Sequence, residues 1–190
     1  FIAAALLTLA LPVRAATLER EFRYDESRFR LVERDGVTEI EVRTGQRELR
    51  PGRPDLPTIV ERVTIPDGMR VTGVEVIGAE SATLAASVRV ATAAALRAES
   101  EPGGRTAPDP RYYAAAGLQP ERLVTLGPQG SQRGVSVATL RVNPVRWDAA
   151  SGRLELARNI RVRLTLEPYA ESGRLTRERV VPEWEAGSLL

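Results

Sequence analysis

Apolar and polar residues alternate along the last third of the chain. From Leu154 to Leu166 every even position is apolar except Arg158, and the odd positions between them are polar or small. A period of two with one apolar face is typical of a half-buried β-strand. The residues from Asp148 to Gly152, directly before this run, are turn formers. The pattern therefore predicts a strand that follows a hairpin turn.

The segment on the other side of that turn is also rich in β-forming residues. It presents two faces, one with Ala138, Leu140 and Val142, the other with Val135, Val137, Val145 and Trp147. We therefore expect one long antiparallel hairpin over residues 132–167. Because one face of this hairpin is apolar, it needs a second layer of structure to cover it.

The first half of the chain contains further short alternating runs that are separated by turn residues. Asp35-Gly36 is a hairpin signal, and Pro66-Asp67-Gly68 ends another run. The predicted strands are 59–65, 71–77, 83–90 and 121–126, together with the pairs Phe22/Tyr24, Phe29/Leu31 and Ile40/Val42. Short, regularly spaced strands predict an all-β fold, an antiparallel β-sandwich with a jelly-roll-like organisation, in which the 59–90 strands cover the hairpin. An all-β barrel is the alternative.

Three segments break the alternation. Residues 46–57 are rich in proline, which cannot donate to a strand ladder, so we expect them to cross between layers or line a sheet edge. Residues 92–98 are rich in alanine and predict a helical turn. Residues 99–111 contain no large apolar side chain, as expected of a functional or disordered loop. Tyr112 and Tyr113 are expected to close this loop and pack back on the domain.

The two ends of the chain differ in composition from the middle. Residues 1–11 are almost entirely apolar and lead into small residues, which predicts a secretory signal peptide cut after Ala15. A buried core helix is the alternative, and the run is too short to span a membrane. The alternation ends after Pro168. We therefore divide the chain into a signal segment 1–15, a domain 17–167 and a linker 168–190.

Composition narrows the possible chemistry. The 190 residues contain no cysteine and no histidine, and the formal net charge is +2. This excludes a thiol nucleophile, a disulfide framework and a histidine general base within the chain. No basic stripe with interleaved aromatics is present, so we expect no nucleic-acid partner. The turn carboxylates Asp25, Glu26, Asp35 and Asp148 do not match a calcium loop, and no cofactor or metal is expected.

Several short motifs occur in a fixed order between residues 45 and 167. They are Gly52-Arg-Pro54-Asp-Leu56-Pro57, Ile65-Pro66-Asp-Gly68-Met-Arg-Val71, Gln132-Arg-Gly134, Val142-Asn-Pro144-Val-Arg-Trp147, Gly152-Arg-Leu154 and Asn159-Ile-Arg-Val162-Arg-Leu164. This series is similar to the N-terminal propeptide domain of gingipain-type (family C25) cysteine peptidases.

The resemblance implies an exported β-sandwich prodomain that lies beside a caspase-like peptidase domain further along its own chain. Such a prodomain inhibits the peptidase, assists its folding and is removed by proteolysis, and it resides outside the cell or at its surface. The catalytic His and Cys of the family belong to the peptidase domain, so no catalytic residue is expected in this chain. Calcium on the peptidase domain is left open. The competing hypothesis is a secreted β-sandwich binding or adhesion module with no peptidase attached.

The resemblance also suggests roles for individual arginines. A basic residue in the loop across the active-site cleft can mimic the substrate side chain, and Arg105 and Arg111 are the candidates. Arg174, Arg177 and Arg179 in the linker are candidates for maturation cleavage. The alternatives are a solvated loop arginine in the first case and ordinary linker charges in the second. Trp147 and Tyr112 are either binding aromatics or core residues at strand ends.

Overall fold

The computed structural model describes residues 16–47, 50–93 and 106–169. These ranges contain eleven strands, a 3-10 turn (Glu26–Arg28) and one short helix, α1 (Pro110–Tyr113). The strands are β1 (Ala16–Arg23), β2 (Phe29–Arg34), β3 (Val37–Val42), β4 (Gln46–Arg47), β5 (Pro57–Thr64), β6 (Met69–Ala85), β7 (Leu118–Gln119), β8 (Val124–Gln132), β9 (Val135–Val142), β10 (Val145–Asp148) and β11 (Arg153–Pro168).

Strand β11 is the centre of the first sheet. On one side it pairs antiparallel with β6 over nearly its whole length. On its other side it pairs first with β10 and then with β1, and β7 extends the sheet beyond β10. A strand with neighbours on both sides and one apolar face must be covered by a second layer.

The second sheet supplies that layer. Its strand order is β4-β5-β9-β8, all antiparallel. Strands β2 and β3 form a separate hairpin, which turns at Asp35 and Gly36, both with positive φ. Thr38 of this hairpin is joined to residues 89–91, because its N–H donates to the Arg89 carbonyl at 2.7 Å and its carbonyl accepts from the Ala91 N–H at 2.9 Å.

The hydrophobic core lies between the two sheets. From β11 it contains Leu154, Leu156, Ile160, Val162, Leu164 and Leu166, and from the second sheet Ile59, Val63, Ala138, Leu140 and Val142. The predicted antiparallel sandwich is therefore confirmed, as are the buried even face of β11 and the hairpin at Asp35-Gly36. The expectation that all the 59–90 strands cover the hairpin is wrong, because β5 belongs to the covering sheet whereas β6 is hydrogen-bonded to β11 in the same sheet. The described strands form no closed barrel.

A bulge in β11 explains why a charged residue, Arg158, stands at an even position of the apolar face. The register against β6 shifts between Ala157 and Asn159, so that Ala157 is buried and Arg158 is exposed. The Ala157 N–H donates to the Pro144 carbonyl at 2.8 Å, and the Arg158 guanidinium lies 2.6 Å from Glu26. The charged side chain thus leaves the apolar face without interrupting the strand.

The prediction of one long hairpin over 132–167 is wrong in its pairing. Strand β9 pairs with β5 and β8, and only the four residues of β10 pair with β11 across the turn. The chain changes sheets at Asn143 and Pro144, because proline has no N–H for a continuing ladder. Asn143 fixes this crossing: its N–H donates to the Leu123 carbonyl and its side chain bonds Thr58 and Arg122.

The predicted separate strands 71–77 and 83–90 are also incorrect, because β6 runs unbroken from Met69 to Ala85. The small residues around Gly78 do not form a turn. They allow the strand to follow β11, and the Arg161 guanidinium lies over Gly78, 2.9 Å from where a Cβ would stand. A smaller difference is that β8 starts at Val124 rather than at residue 121. Strand β4 lines the edge of β5, as expected of the proline-rich segment.

Candidate partner-binding site

Residues 88–93 form a buried segment that carries the chain into the predicted loop. Val90, Ala91 and Ala93 are each less than 4% exposed. The Val88 carbonyl accepts from the Trp147 indole N–H at 3.0 Å, and the Val90 carbonyl accepts from the Tyr113 hydroxyl at 2.9 Å. This end of the loop is therefore anchored to β10 of the first sheet and to helix α1.

Residues 106–109 lie next to residues 92–93 and 52–53. The Thr92 hydroxyl donates to the Thr106 carbonyl at 2.8 Å, the Ala93 N–H to the Arg53 carbonyl at 2.8 Å, and the Asp109 N–H to the Gly52 carbonyl at 2.9 Å. Residues 94–105 connect these two neighbouring points. Arg105 and the predicted helical turn beyond Ala93 lie outside the described residues.

Helix α1 begins with a local charge pair. Asp109 is its N-cap and accepts from the Arg111 N–H at 3.0 Å. The Arg111 guanidinium also donates to both carboxylate oxygens, from Nε at 3.2 Å and from Nη2 at 2.9 Å. These bonds from Arg111, the side-chain ones first, lower the pKa of Asp109 and favour its ionised form. The Arg111 side chain is nevertheless 86% exposed, and it points to solvent.

Two tyrosines of α1 have different environments. Tyr113 packs edge-on against Trp147 with ring centroids 5.2 Å apart, and burial raises its pKa to about 12. Trp147 is 3% exposed, so it is a core residue. Tyr112 is partly exposed, and the Arg53 guanidinium lies 4.4 Å above its ring centre. Tyr113 therefore confirms the expected packing on the domain, whereas Tyr112 faces a surface groove.

This groove, called the Arg53 groove below, lies between α1, β7 and residues 50–58. Its volume is about 620 Å³. The lining residues are Arg50, Arg53, Pro54, Leu56, Thr58, Arg111, Tyr112, Ala116, Gly117, Leu118, Gln119, Pro120 and Glu121. Pairing of β7 with β10 holds the far wall, together with a 3.2 Å bond from the Gly117 N–H to Asp148. Sequence reasoning did not find this groove, because the residues on its two walls come from distant segments.

The turn carboxylates have structural roles. Asp25 caps the 3-10 turn by accepting from the Ser27 N–H at 2.8 Å, and Asp148 accepts from the Ala150 N–H and the Ser151 hydroxyl. No cluster of three or more carboxylates suited to a metal ion occurs in the described ranges.

No helix in the described ranges is long and apolar enough to cross a membrane. Ala15, Arg174, Arg177 and Arg179 lie outside the described residues.

Comparison with known proteins identifies the fold and the family. The complex of the pro- and mature domains of RgpB from Porphyromonas gingivalis is 16% identical with a TM-score of 0.66, over 86% of this chain and 89% of that one. A structure of gingipain K from Porphyromonas gingivalis, concerned with its zymogenic latency, is 18% identical with a TM-score of 0.60, over 85% and 97%. No curated protein sequence matches the chain. The family model Propeptide_C25 matches residues 10–181, and the chain therefore belongs to this family of C25 propeptides.

Proposed function

We propose that this C25 propeptide keeps the peptidase domain of its own secreted precursor inactive, assists its folding and is then removed by proteolysis. The observation that carries the proposal is the family match over residues 10–181, which spans every described strand. Two further facts support it. The fold is that of a domain solved in complex with its mature peptidase domain, and the chain has no Cys or His with which to act as a cysteine peptidase itself.

The loop between the buried segment 88–93 and α1, together with the first turn of α1, is the part proposed to inhibit. Its two ends are fixed by hydrogen bonds to Arg53, Gly52 and Thr106, so less conformational entropy is lost when the loop meets a partner. A guanidinium from this loop suits an acidic specificity pocket, since it forms paired hydrogen bonds with carboxylates. Arg111 is exposed and its pair with Asp109 is solvated, so the exchange of Asp109 for a pocket carboxylate costs little. Arg105 is the second candidate.

The proposal also covers export of the precursor and the proteolytic removal of the propeptide. The apolar residues 1–11 and the small residues that follow support export with cleavage after Ala15. Arg174, Arg177 and Arg179 are proposed as sites of removal, because they lie in a polar segment beyond the last paired strand residues. Sequencing of the N-terminus of the exported protein, and of the peptidase released from it, tests both assignments.

The proposed function is tested with the full 190-residue chain and the peptidase domain that the reading frame is expected to encode after it. We expect the chain, added in trans, to inhibit the peptidase at micromolar concentration. A reading frame without a peptidase domain, or a folded chain that leaves the peptidase active, would overturn the proposal and favour the binding or adhesion module.

The loop arginines are tested separately. Arg105→Ala or Arg111→Ala is expected to weaken inhibition roughly tenfold or more, the usual loss for a buried guanidinium anchor. The matched control is Arg133→Ala, which removes an exposed arginine at the β8–β9 turn. If neither loop variant differs from this control, the inhibitory role of both arginines is wrong.

A further inference from the structure

We propose that the Arg53 groove is a second docking site, which binds an acidic segment on the surface of the peptidase domain. The inference rests on the proposed function, and its test relies on Arg53 and Tyr112 rather than on the inhibitory candidates Arg105 and Arg111. Arg53 stacked on Tyr112 is the proposed centre of recognition, and the other walls of the groove shape the site.

The stacked pair is organised to bind a carboxylate. With the Arg53 guanidinium over the Tyr112 ring at 4.4 Å, its face is covered and its N–H donors remain in the plane around its edge. Within the described residues the Arg53 side chain makes no ion pair, although its charge contributes to the lowered pKa of Asp109. A partner carboxylate can therefore meet a guanidinium whose orientation is already set.

Arg111 adds a second cationic group to the same groove. Asp109 engages its Nε and Nη2 atoms, which leaves Nη1 without a partner among the described residues. A guanidinium has five N–H donors in a fixed plane, so one carboxylate from this chain does not exhaust it. The groove thus presents two oriented guanidinium groups at its rim.

The balance of charge in the lining indicates the class of partner. Three arginines line the groove; the acidic groups of this chain beside them are Glu121 in the lining and Asp109, which pairs with Arg111. The apolar wall of the groove includes Leu56, Leu118 and Pro120, and the groove volume of about 620 Å³ accommodates several side chains. An acidic segment with an apolar residue beside its carboxylates fits this combination. Arginine and tyrosine are also the residue types that most often dominate binding at protein interfaces.

The position of the groove favours the peptidase domain as the source of that segment. Gly52 and Arg53 accept hydrogen bonds from the two ends of the proposed inhibitory loop, and the same residues 50–58 form one wall of the groove. A peptidase domain engaged by the loop therefore lies next to the groove. A groove contact adds binding energy without occupying the catalytic cleft.

The experiment measures binding of the full 190-residue chain to the peptidase domain, with the catalytic cysteine of that domain replaced by alanine to prevent cleavage. Arg53→Glu is expected to weaken binding about tenfold or more, and Arg53→Gln to weaken it less. Wild-type binding should weaken as salt rises, and the Arg53→Glu variant should lose part of that salt dependence. Tyr112→Ala should resemble Arg53→Gln.

The matched control is Arg70→Ala combined with Tyr169→Ala. This pair is also a guanidinium over a tyrosine ring, at 5.5 Å, but it lies at the opposite end of β11, where Pro168 pairs with Met69. Its removal is expected to leave binding unchanged. Thermal unfolding of each variant verifies that the chain remains folded, and the two Arg53 variants carry the test if Tyr112→Ala is unstable.

Three results would overturn the proposal. Unchanged binding in Arg53→Glu would exclude the groove while leaving the proposed function intact. Loss of binding in Tyr112→Ala with no effect of either Arg53 variant would mean that the occupant is apolar. A groove variant that abolishes self-association of the free chain in sedimentation would assign the groove to a second copy. Failure of the wild-type chain to bind the peptidase would instead refute the proposed function.

Discussion

At the scale of single residues, Gly152 allows the β10–β11 turn to pack closely against the backbone of Ser87 and Val88. Its φ of +70° lies in the left-handed region that favours glycine. Its carbonyl accepts from the Val88 N–H at 2.9 Å, and a Cβ added here would stand 2.9 Å from the Ser87 Cα. The β10–β11 turn is thus held against the segment that leads into the loop.

Gly134 provides a matched comparison for Gly152. It also has a positive φ, of +80°, but a Cβ there would meet no atom within 4 Å. We expect Gly134→Ala to lower the free energy of unfolding by about 1 kcal/mol through backbone strain alone. Gly152→Ala should cost about 2–4 kcal/mol, because the new methyl group also displaces backbone atoms. Urea unfolding measures both values, and equal losses would contradict this explanation.

Asp148 is the residue from which we expect a pH dependence. Hydrogen bonds from the Ser151 hydroxyl, then from the Ala150 and Gly117 N–H groups, lower its pKa below the ordinary value of 3.8. A pKa lowered by folding means that the ionised carboxylate stabilises the fold above about pH 4, and that this contribution is lost as pH falls through the folded-state pKa. The unfolding free energies of the wild type and Asp148→Asn should therefore differ at pH 7 and converge as the pH falls below about 4. A constant difference over this range would refute the role of the charge.

At the scale of whole elements, β6 is protected where its outer edge meets β8. The Gln129 side chain donates to the Val71 carbonyl at 2.8 Å and accepts from the Val71 N–H at 2.7 Å. One side-chain amide thus takes the place of a strand residue at the edge. Gln129 is brought there by a bulge in β8, where the register against β9 shifts between Leu126 and Gln129.

Gln129→Ala is expected to lower the free energy of unfolding by about 1–3 kcal/mol, because it removes two hydrogen bonds and leaves the backbone of Val71 unsatisfied. Gln132→Ala, at the exposed end of the same strand, should change it by less than about 0.5 kcal/mol. Hydrogen exchange provides a second measurement, since the Val71 amide should lose protection only in the first variant. Equal stability of the two variants would show that the edge contact contributes nothing.

At the scale of the whole molecule, the proposed binding surface lies at one end of the two-sheet scaffold. Ala16 pairs with Leu166, so the described chain starts beside the strand with which it ends. The Arg53 groove and the anchored loop ends lie at the other end of β11, near Trp147 and Leu154. With 16 residues in β11, the two ends are separated by roughly 50 Å. A partner can therefore engage the groove without contacting the paired ends of the domain.

Local patterns in the sequence predicted much of the scaffold but little of the proposed binding surface. The even face of β11 and the Asp35-Gly36 turn follow from neighbouring residues, and both are confirmed. The short motifs between residues 45 and 167 also identified the family correctly. The groove residues Arg53 and Tyr112 were not paired by any local signal, because their contact depends on the way residues 50–58 and α1 are brought together.

The sequence alone determined the all-β class, the inward faces of the strands and the absence of thiol or histidine chemistry. These properties depend on residue type and on a period of two, which are both local. Only the tertiary structure decided that β9 pairs with β5 and β8, that β6 is continuous, and that three arginines line one groove. The physical reason is that alternation specifies which face of a strand is buried, whereas its neighbours are chosen by hydrogen bonds and packing between distant segments.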